Sequence, residues 1–512
     1  MNDSDADEDS IQEPERVHTK HDHSDLEKLS THHDVEAEAA HPATRAVTAQ
    51  DWTGPDDPEN PFNWPMSKRV YSTAIPGLFA FVVTFGSSVY TPAIPEVMQQ
   101  FHVSQEAAVL GLCLWTLGLA CGPMIAAPIS ESYGRLIVYR VSLPLSMLFT
   151  LGAGFSKTFG TLLTMRLLAG ITGSPVLSVG AGTNADLFPP RIRAYSTTSF
   201  LVAPFLGPAL GPVVGGFAAQ FKGWRWTQWC ILFIGAAVYL ISLPMKETYK
   251  KAILEKRAKR LGIQPPKGPV PPGLARIKFM MTVTLLRPCH MLVTEPIVTF
   301  FSLYSAFTFA LLFTFFAAFP LVFREVYGFN TYQNGLVFLA IGLGVVLAAA
   351  SCIWFDVIFY QEQHRKAVAG GRIHVAPEHR LYGAMAGAFG ITIGIFWFAW
   401  TARKGVHWIV PILATVPFAW GNLCIFTCTA LFLVDVYGPL NGASALAANG
   451  LARYGLSAVF PLFTVQMYNT LGIAWATSLL GFLSLLMLPI PWFFFKFGPK
   501  YRAKSSYETI KA

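Results

Sequence analysis

Two arginines stand inside apolar runs long enough to cross a bilayer. Arg166 lies in Leu162-Leu-Thr-Met-Arg166-Leu-Leu-Ala169-Gly170-Ile-Thr-Gly173, and Arg453 in Ala448-Asn449-Gly450-Leu-Ala-Arg453-Tyr454-Gly455. A guanidinium at the centre of a spanning helix costs about 2.5–3.5 kcal/mol on insertion scales, so each is expected to face protein, water or a bound molecule. Arg453 is flanked by polar Asn449 and Tyr454. Asn422, Tyr304 and Trp115, the last beside Thr116, lie in other apolar runs and can join Arg453 around one central substrate cavity. Taken singly, each is also an ordinary packing residue. Proton movement through such a site normally needs a group that titrates in the path. Of 30 acidic residues, 17 precede residue 60 and none of the other 13 falls at mid-run, which leaves Asp186, Glu295 and Glu131 as the available carriers. No nucleophile–base pair, metal spacing or phosphate loop is present in the sequence, which points away from an enzyme, and no cofactor or metal centre is expected.

The elements that position these groups are dominated by Leu201 to Phe217, LVAPFLGPALGPVVGGF. Gly207, Gly211, Gly215 and Gly216 share one helical face, and Pro204, Pro208 and Pro212 form a second four-residue ladder. An interior proline costs a water-soluble helix about 3 kcal/mol. In a membrane, small residues let helix backbones approach and neighbouring helices re-satisfy the groups that proline frees.

The 512 residues are 53% hydrophobic and only 13% charged, with a mean hydropathy of +0.43, which excludes an ordinary soluble domain. Twelve apolar runs, each near the roughly 20 residues that cross the hydrocarbon layer, are expected. They span 70 to 92, 107 to 129, 137 to 155, 159 to 185, 196 to 218 and 227 to 245, then 293 to 320, 333 to 354, 381 to 401, 407 to 434, 442 to 465 and 472 to 495. With the N-terminus inside, cytosolic flanks from Lys68 onward carry 26 Lys and Arg, and external loops only Lys157, Lys222, Arg225, Arg324, Arg403 and Lys404. Both termini are therefore expected in the cytosol. The layout is a disordered acidic, His-rich tail over 1–65, a six-helix bundle over 66–245, a cytosolic linker over 246–292, a second six-helix bundle over 293–495 and a tail over 496–512. His21, His23, His32 and His33 allow a loose metal site in the tail, although a solvated polar segment explains them more simply. Trp52 and Trp64 suit an interfacial anchor, and the basic run KETYKKAILEKRAKRLG reads as a solvated linker helix near anionic lipid. The acidic start lacks a cleavable signal pattern, so the first run is expected to act as the targeting signal. The seven cysteines show no metal spacing and read as free core thiols. The basic pI fits membrane topology better than nucleic-acid binding.

Three motifs carry a family resemblance. Gly207-Pro-Ala-Leu-Gly211-Pro212-Val-Val-Gly215-Gly216 resembles the GxxxGPxxGG antiporter signature on the fifth spanning helix of major facilitator exporters. Glu131-Ser-Tyr-Gly134-Arg135 resembles the gating loop GxxxD(R/K)xGR, with Ala127, Ser132 and Leu136 departing from it. Arg166-Leu-Leu-Ala169-Gly170 resembles RxxxG, whose arginine is associated with proton coupling. Together with DPENPFNWP, SSVYTPAIPEV, GWRWT, KETY and ANGLARYG, residues 51 to 500 look like a fungal drug:proton antiporter of the major facilitator superfamily. The resemblance implies an all-α membrane protein with two six-helix bundles around a cavity, in the plasma membrane, sufficient as a monomer. It also implies proton-driven efflux of drugs, polyamines or toxic secondary metabolites by alternating access, with Arg166, Asp186 and Glu295 as the coupling set and Asp186 facing Arg135. A cavity holding two arginines and no central carboxylate favours neutral or anionic amphipathic substrates over polyamines. A nutrient importer and a non-transporting membrane sensor are the other readings.

Overall fold

The computed structural model describes residues 50–189, 192–264, 282–371 and 375–509. Every regular element among them is helical. The chain opens with α1 (Met66–Ser88) and short α2 (Ile94–Phe101), where Pro95 occupies the first turn. Helix α3 (Gln105–Tyr133) starts where Ser104 Oγ accepts the Ala107 N–H at 3.2 Å, and stops at Gly134, whose φ of 99° only glycine adopts readily. Then come α4 (Arg135–Gly154), α5 (Phe159–Gly173) and α6 (Pro175–Leu187), the last two separated by Ser174-Pro175. Helix α7 (Arg193–Lys222) carries all three ladder prolines and stays a single element; α8 (Arg225–Ser242) and the linker helix α9 (Lys250–Leu261) complete the amino-terminal set.

Beyond the linker run α10 (Arg287–Thr294), α11 (Pro296–Tyr327), α12 (Thr331–Val337), α13 (Leu339–Phe355), α14 (Gln361–Ala369), α15 (Tyr382–Thr401), α16 (Ile409–Met487) and α17 (Ile490–Arg502). Helix α16 turns back on itself at Gly438 (φ 63°) and Gly472 (φ 74°). Ten described helices or helix runs are long and apolar enough to cross a membrane. The expected sixth run falls on α8, which is not among the ten. The expected eleventh and twelfth runs both fall in the 62-residue stretch Asn441–Arg502. At 1.5 Å per residue that stretch would exceed a bilayer about threefold, and Gly472 divides it.

Within the amino-terminal set α1 packs on α7, α3 on α5, and α4 on α5 and α8; in the carboxyl-terminal set α11, α13 and α15 all pack on α16. The sets meet where α7 lies against α12 and α13 and where α3 lies against α16. We call the end of the bundle that carries α9 the linker end and the other the far end.

Two expectations need correction. Residues 1–49, with the tail histidines, lie outside the described residues, but 50–65 are not a free tail. Asp57 accepts both a backbone N–H from Thr53 and a two-pronged contact from Arg257 of α9 at 2.8 Å, and Glu59 pairs with Arg257 at 2.6 Å and Arg260 at 2.8 Å. Burial alone would raise both carboxyls; hydrogen bonds and the arginines more than offset it and hold both below the usual carboxylate range. The linker helix is thus docked on the chain's own acidic segment. Trp64 is no interfacial anchor: it is buried against Leu187 and Phe188, with Lys68 Nζ 3.3 Å above its ring.

Candidate functional site

Arg166 is fully enclosed. Its Nε donates to Gly111 O (2.7 Å), Nη1 to Gln228 Oε1 (3.3 Å), and Nη2 to Gly86 O (3.2 Å) and Ser87 O (3.3 Å), so one side chain on α5 ties α1, α3 and α8 together. Tyr90 and Trp115 present their rings at 4.3 and 4.8 Å. Trp115 is itself fixed by its indole N–H on Val83 O at 3.0 Å, and Gly86 leaves no Cβ in the way of its ring. Trp115 therefore belongs to the Arg166 cluster. The expected coupling set is not assembled: Asp186 sits at the linker end, and Glu295 lies in the other set of helices. Glu295 accepts from Tyr437 Oη (2.9 Å), Ser505 Oγ (2.8 Å) and the Ser506 N–H (3.0 Å).

Arg453 occupies a different environment. It is 7% exposed, its Nε has no hydrogen-bond partner, and Phe426, Tyr454 and Phe309 approach the guanidinium carbon at 4.3, 4.2 and 4.7 Å. Phe205 of α7 closes the cage by packing on Phe309 (5.5 Å) and Phe426 (5.3 Å), so both sets of helices contribute. Asn449 Nδ2 is buried and unpaired one turn away. Asn422 donates to Thr308 O at 2.6 Å and leaves its Oδ1 unpaired. Tyr304 is buried on the same helix as Phe309.

The glycines of α7 act on two fronts. A Cβ at Gly207 would meet Phe85 N at 2.7 Å, one at Gly211 would meet Val89 N at 2.8 Å, and one at Gly215 would strike Val89 O, all on the α1 side. A Cβ at Gly216 would instead meet Thr331 O (3.0 Å) and Tyr332 Cα (3.1 Å) of α12, while Gly335 of α12 lies against the Pro212 carbonyl. The same helix is thus pressed against both sets. Phe217 and Phe221 pack at a tilt against Tyr332 (5.4 and 5.9 Å), and Gln466 donates to Glu106 at 2.7 Å, bridging the sets at the far end. At the linker end a small crevice with about 30 Å³ of free space, open to solvent, lies between the sets and is lined by Thr198, Cys352, Asp356, Tyr360, Arg380 and Thr427 among others.

Charged groups concentrate at that linker end. Arg135 donates to Asp186 (3.2 Å) and Ser130 (2.8 Å). Glu131 is exposed and makes no ion pair among the described residues, so the acids that meet this loop are Asp186 and Glu247. Glu247 accepts the N–H groups of Arg135 (2.9 Å) and Leu136 (3.0 Å), capping α4 in the space that Gly134 leaves by lacking a Cβ. In the second set Arg380 pairs with Asp356 and Asp435, both at 2.7 Å, and Arg502 with Glu378 at 2.9 Å.

A family model described as the Major Facilitator Superfamily matches residues 77–461. The chain belongs to this superfamily. It is 42% identical over 481 residues to "Polyamine transporter 4" of Saccharomyces cerevisiae, covering 89% of this chain and 73% of that protein. To "Efflux pump FUBT" of Fusarium oxysporum it is 38% identical over 466 residues, covering 90% and 77%. A solved structure of the proton:xylose symporter XylE superposes with a TM-score of 0.60 at 17% identity, over 84% of this chain and 97% of that one, which bears on the fold alone.

As a member of the superfamily the protein is a multi-pass membrane transporter of small molecules and not an enzyme. Phe205, Phe309 and Phe426 are not marked in the sequence, because phenylalanines are spread throughout these runs and nothing in spacing singles out three that converge. Asp356 and Arg380 were legible in principle. They follow the eighth apolar run and precede the ninth, as Glu131 and Arg135 stand between the second and third, so an internal repeat of six runs points to them.

Proposed function

We propose that the protein is a proton-coupled exporter of amphipathic organic compounds, working by alternating access in the plasma membrane as a monomer. In this reading twelve segments cross, both termini are cytosolic, and the far end faces outside. The observation that carries it is the two-sided packing of α7: glycines on one face meet α1, and Gly216 meets α12 of the other set. A helix held this closely by both sets, with Gln466 and Glu106 bridging the sets at the far end and a small crevice between them at the linker end, fits a pair of bundles that rock about α7. The efflux direction is supported by the glycine-proline signature and by the name of the Fusarium relative. Asp186 and Glu295 are the proposed proton carriers; Arg166 is proposed to act on coupling by fixing the geometry of α1, α3, α5 and α8. Arg135 and Gly134, with Glu131 exposed beside them, are the proposed gating loop.

Polyamine export is the second reading, favoured by the name of the yeast relative. Against it stands a pair of buried arginines with no acid beside either among the described residues. Cells expressing the protein and loaded with a lipophilic fluorescent dye test the proposal: protonophore-sensitive dye efflux supports it, and spermidine export without dye efflux replaces it with the second reading.

A further inference from the structure

Five arginines are buried among the described residues: Arg166, Arg257, Arg380, Arg453 and Arg502. Four have oxygen partners for their guanidinium nitrogens. Arg166 has four, Arg257 and Arg380 hold carboxylates, and Arg502 holds Glu378. Arg453 differs. Among the described residues no carboxylate lies within ion-pair distance of it, its Nε is unsatisfied, and its surroundings are the faces of three aromatic rings. Ring faces attract a cation but accept no directed hydrogen bond from the edge of the guanidinium fork, and that edge is the part that grips an oxyanion.

We propose that Arg453 is the recognition point for an organic monocarboxylate, and that the compounds exported are apolar or aromatic bodies bearing a single carboxylate. The inference rests on the efflux reading and narrows its substrate class. The guanidinium fork matches a carboxylate in plane and charge. Asn449, four residues earlier and on the same helical face, offers an unpaired Nδ2 as a further donor, and the unpaired Oδ1 of Asn422 can accept from a substituent hydroxyl or amide. Phe205, Phe309, Phe426 and Tyr454 supply flat surface for the apolar body. A monoanion balances Arg453 inside this aromatic cage. A dianion would remain half unpaired, and a polyamine would add positive charge to an arginine that already lacks a counter-ion. The position also suits transport, because Phe205 comes from α7 and the other rings from α11 and α16, so the two sets separate around the site.

The test compares a carboxylate with its neutral isostere. Thermal unfolding of the purified full-length protein is followed with 1-naphthoate or 1-naphthamide. The expected result is an upward shift of several degrees with naphthoate and none with naphthamide, with the naphthoate shift reduced in Arg453→Lys and absent in Arg453→Met. Equal shifts with both compounds, no shift with naphthoate, or a full naphthoate shift in Arg453→Met would overturn the proposal, and the wild-type comparison holds even if a variant fails to fold. Efflux from cells separates the two readings. Export of 1-pyrenebutyrate, a fluorescent monocarboxylate, together with neutral Nile red supports both; export of Nile red with retention of pyrenebutyrate leaves efflux standing and removes the carboxylate preference; retention of both dyes removes the efflux reading and the proposal that rests on it.

Discussion

Adding one methyl group at Gly335 should push the two sets of helices apart at the far end, whereas the same addition at Gly211 should only weaken one of them. The Cβ of Gly335→Ala would strike the Pro212 carbonyl and come within 3.1 Å of the carbonyl carbon and 3.3 Å of Val213 Cα. These are backbone atoms and cannot rotate aside, so α12 must back away from α7. Overpacking of this kind costs about 1–3 kcal/mol. The cost falls only on the state in which α7 and α12 touch, which disfavours that state roughly 5- to 150-fold. The Cβ of Gly211→Ala would press on Ser88 Oγ and sit 2.8 Å from Val89 N, both within the amino-terminal set, where contact persists whichever end is open. Spin labels at Ser104 and Asn469, exposed far-end positions on the two sets, report the separation, with the exposed thiol of Cys289 replaced by serine. Gly335→Ala should populate a longer distance with little change in Tm, and Gly211→Ala should lower Tm with the distance distribution unchanged. An unaltered distance in Gly335→Ala, or the same response from both variants, would refute the division of the α7 glycines into a packing face and a moving face.

Removing Arg257 by Arg257→Met leaves Asp57 buried and unpaired, at a cost of about 3–5 kcal/mol, and should raise hydrogen exchange throughout α9. Because the Asp57 and Glu59 carboxyls are held low, the docking is fully present above the ordinary carboxylate range and is lost as pH falls through their folded values; α9 should stay protected at about pH 5 and open only at lower pH. Glu247→Ala removes the cap of α4 and should lower stability by about 1 kcal/mol, read as a fall in Tm. Arg166→Lys keeps the charge but cannot serve acceptors on three helices, and should lose at least about tenfold in transport rate. If the exported substrate is a monoanion exchanged for a proton, two charges move per cycle, worth about 4.6 kcal/mol per 100 mV, so clamping the membrane potential at zero with valinomycin and potassium should slow efflux even when the pH gradient is kept.

Most helix positions and the close packing of α7 on α1 were legible because both follow from local rules: run length against bilayer thickness, and Gly207, Gly211 and Gly215 spaced to share a face; Gly216 was expected on that face and instead meets α12. Arg166 and Arg453 stood out for the same reason, as charges where the solvent is hydrocarbon. What each arginine touches was not legible. The two look alike in sequence, yet one is saturated by carbonyls of Gly86, Ser87 and Gly111 and the other is left bare, a difference made by helix crossings and not by neighbours in the chain. The acidic segment Asp51 to Glu59 reads as tail because it buries little apolar area; its order comes from Arg257 and Arg260, about 200 positions away. Glu131 fits the loop pattern by type and position, but the pattern does not encode that Asp186 and Glu247 reach the loop instead.

Proton-coupled export is tested most directly in proteoliposomes that hold purified protein, an internal pH indicator and an imposed pH gradient. Coupled antiport predicts that adding a transported dye to one side starts a protein-dependent proton flux toward that side. The flux should disappear in Arg166→Lys. Dye movement with no accompanying proton flux would contradict proton antiport, and proton flux in the same direction as the dye would make the protein a symporter.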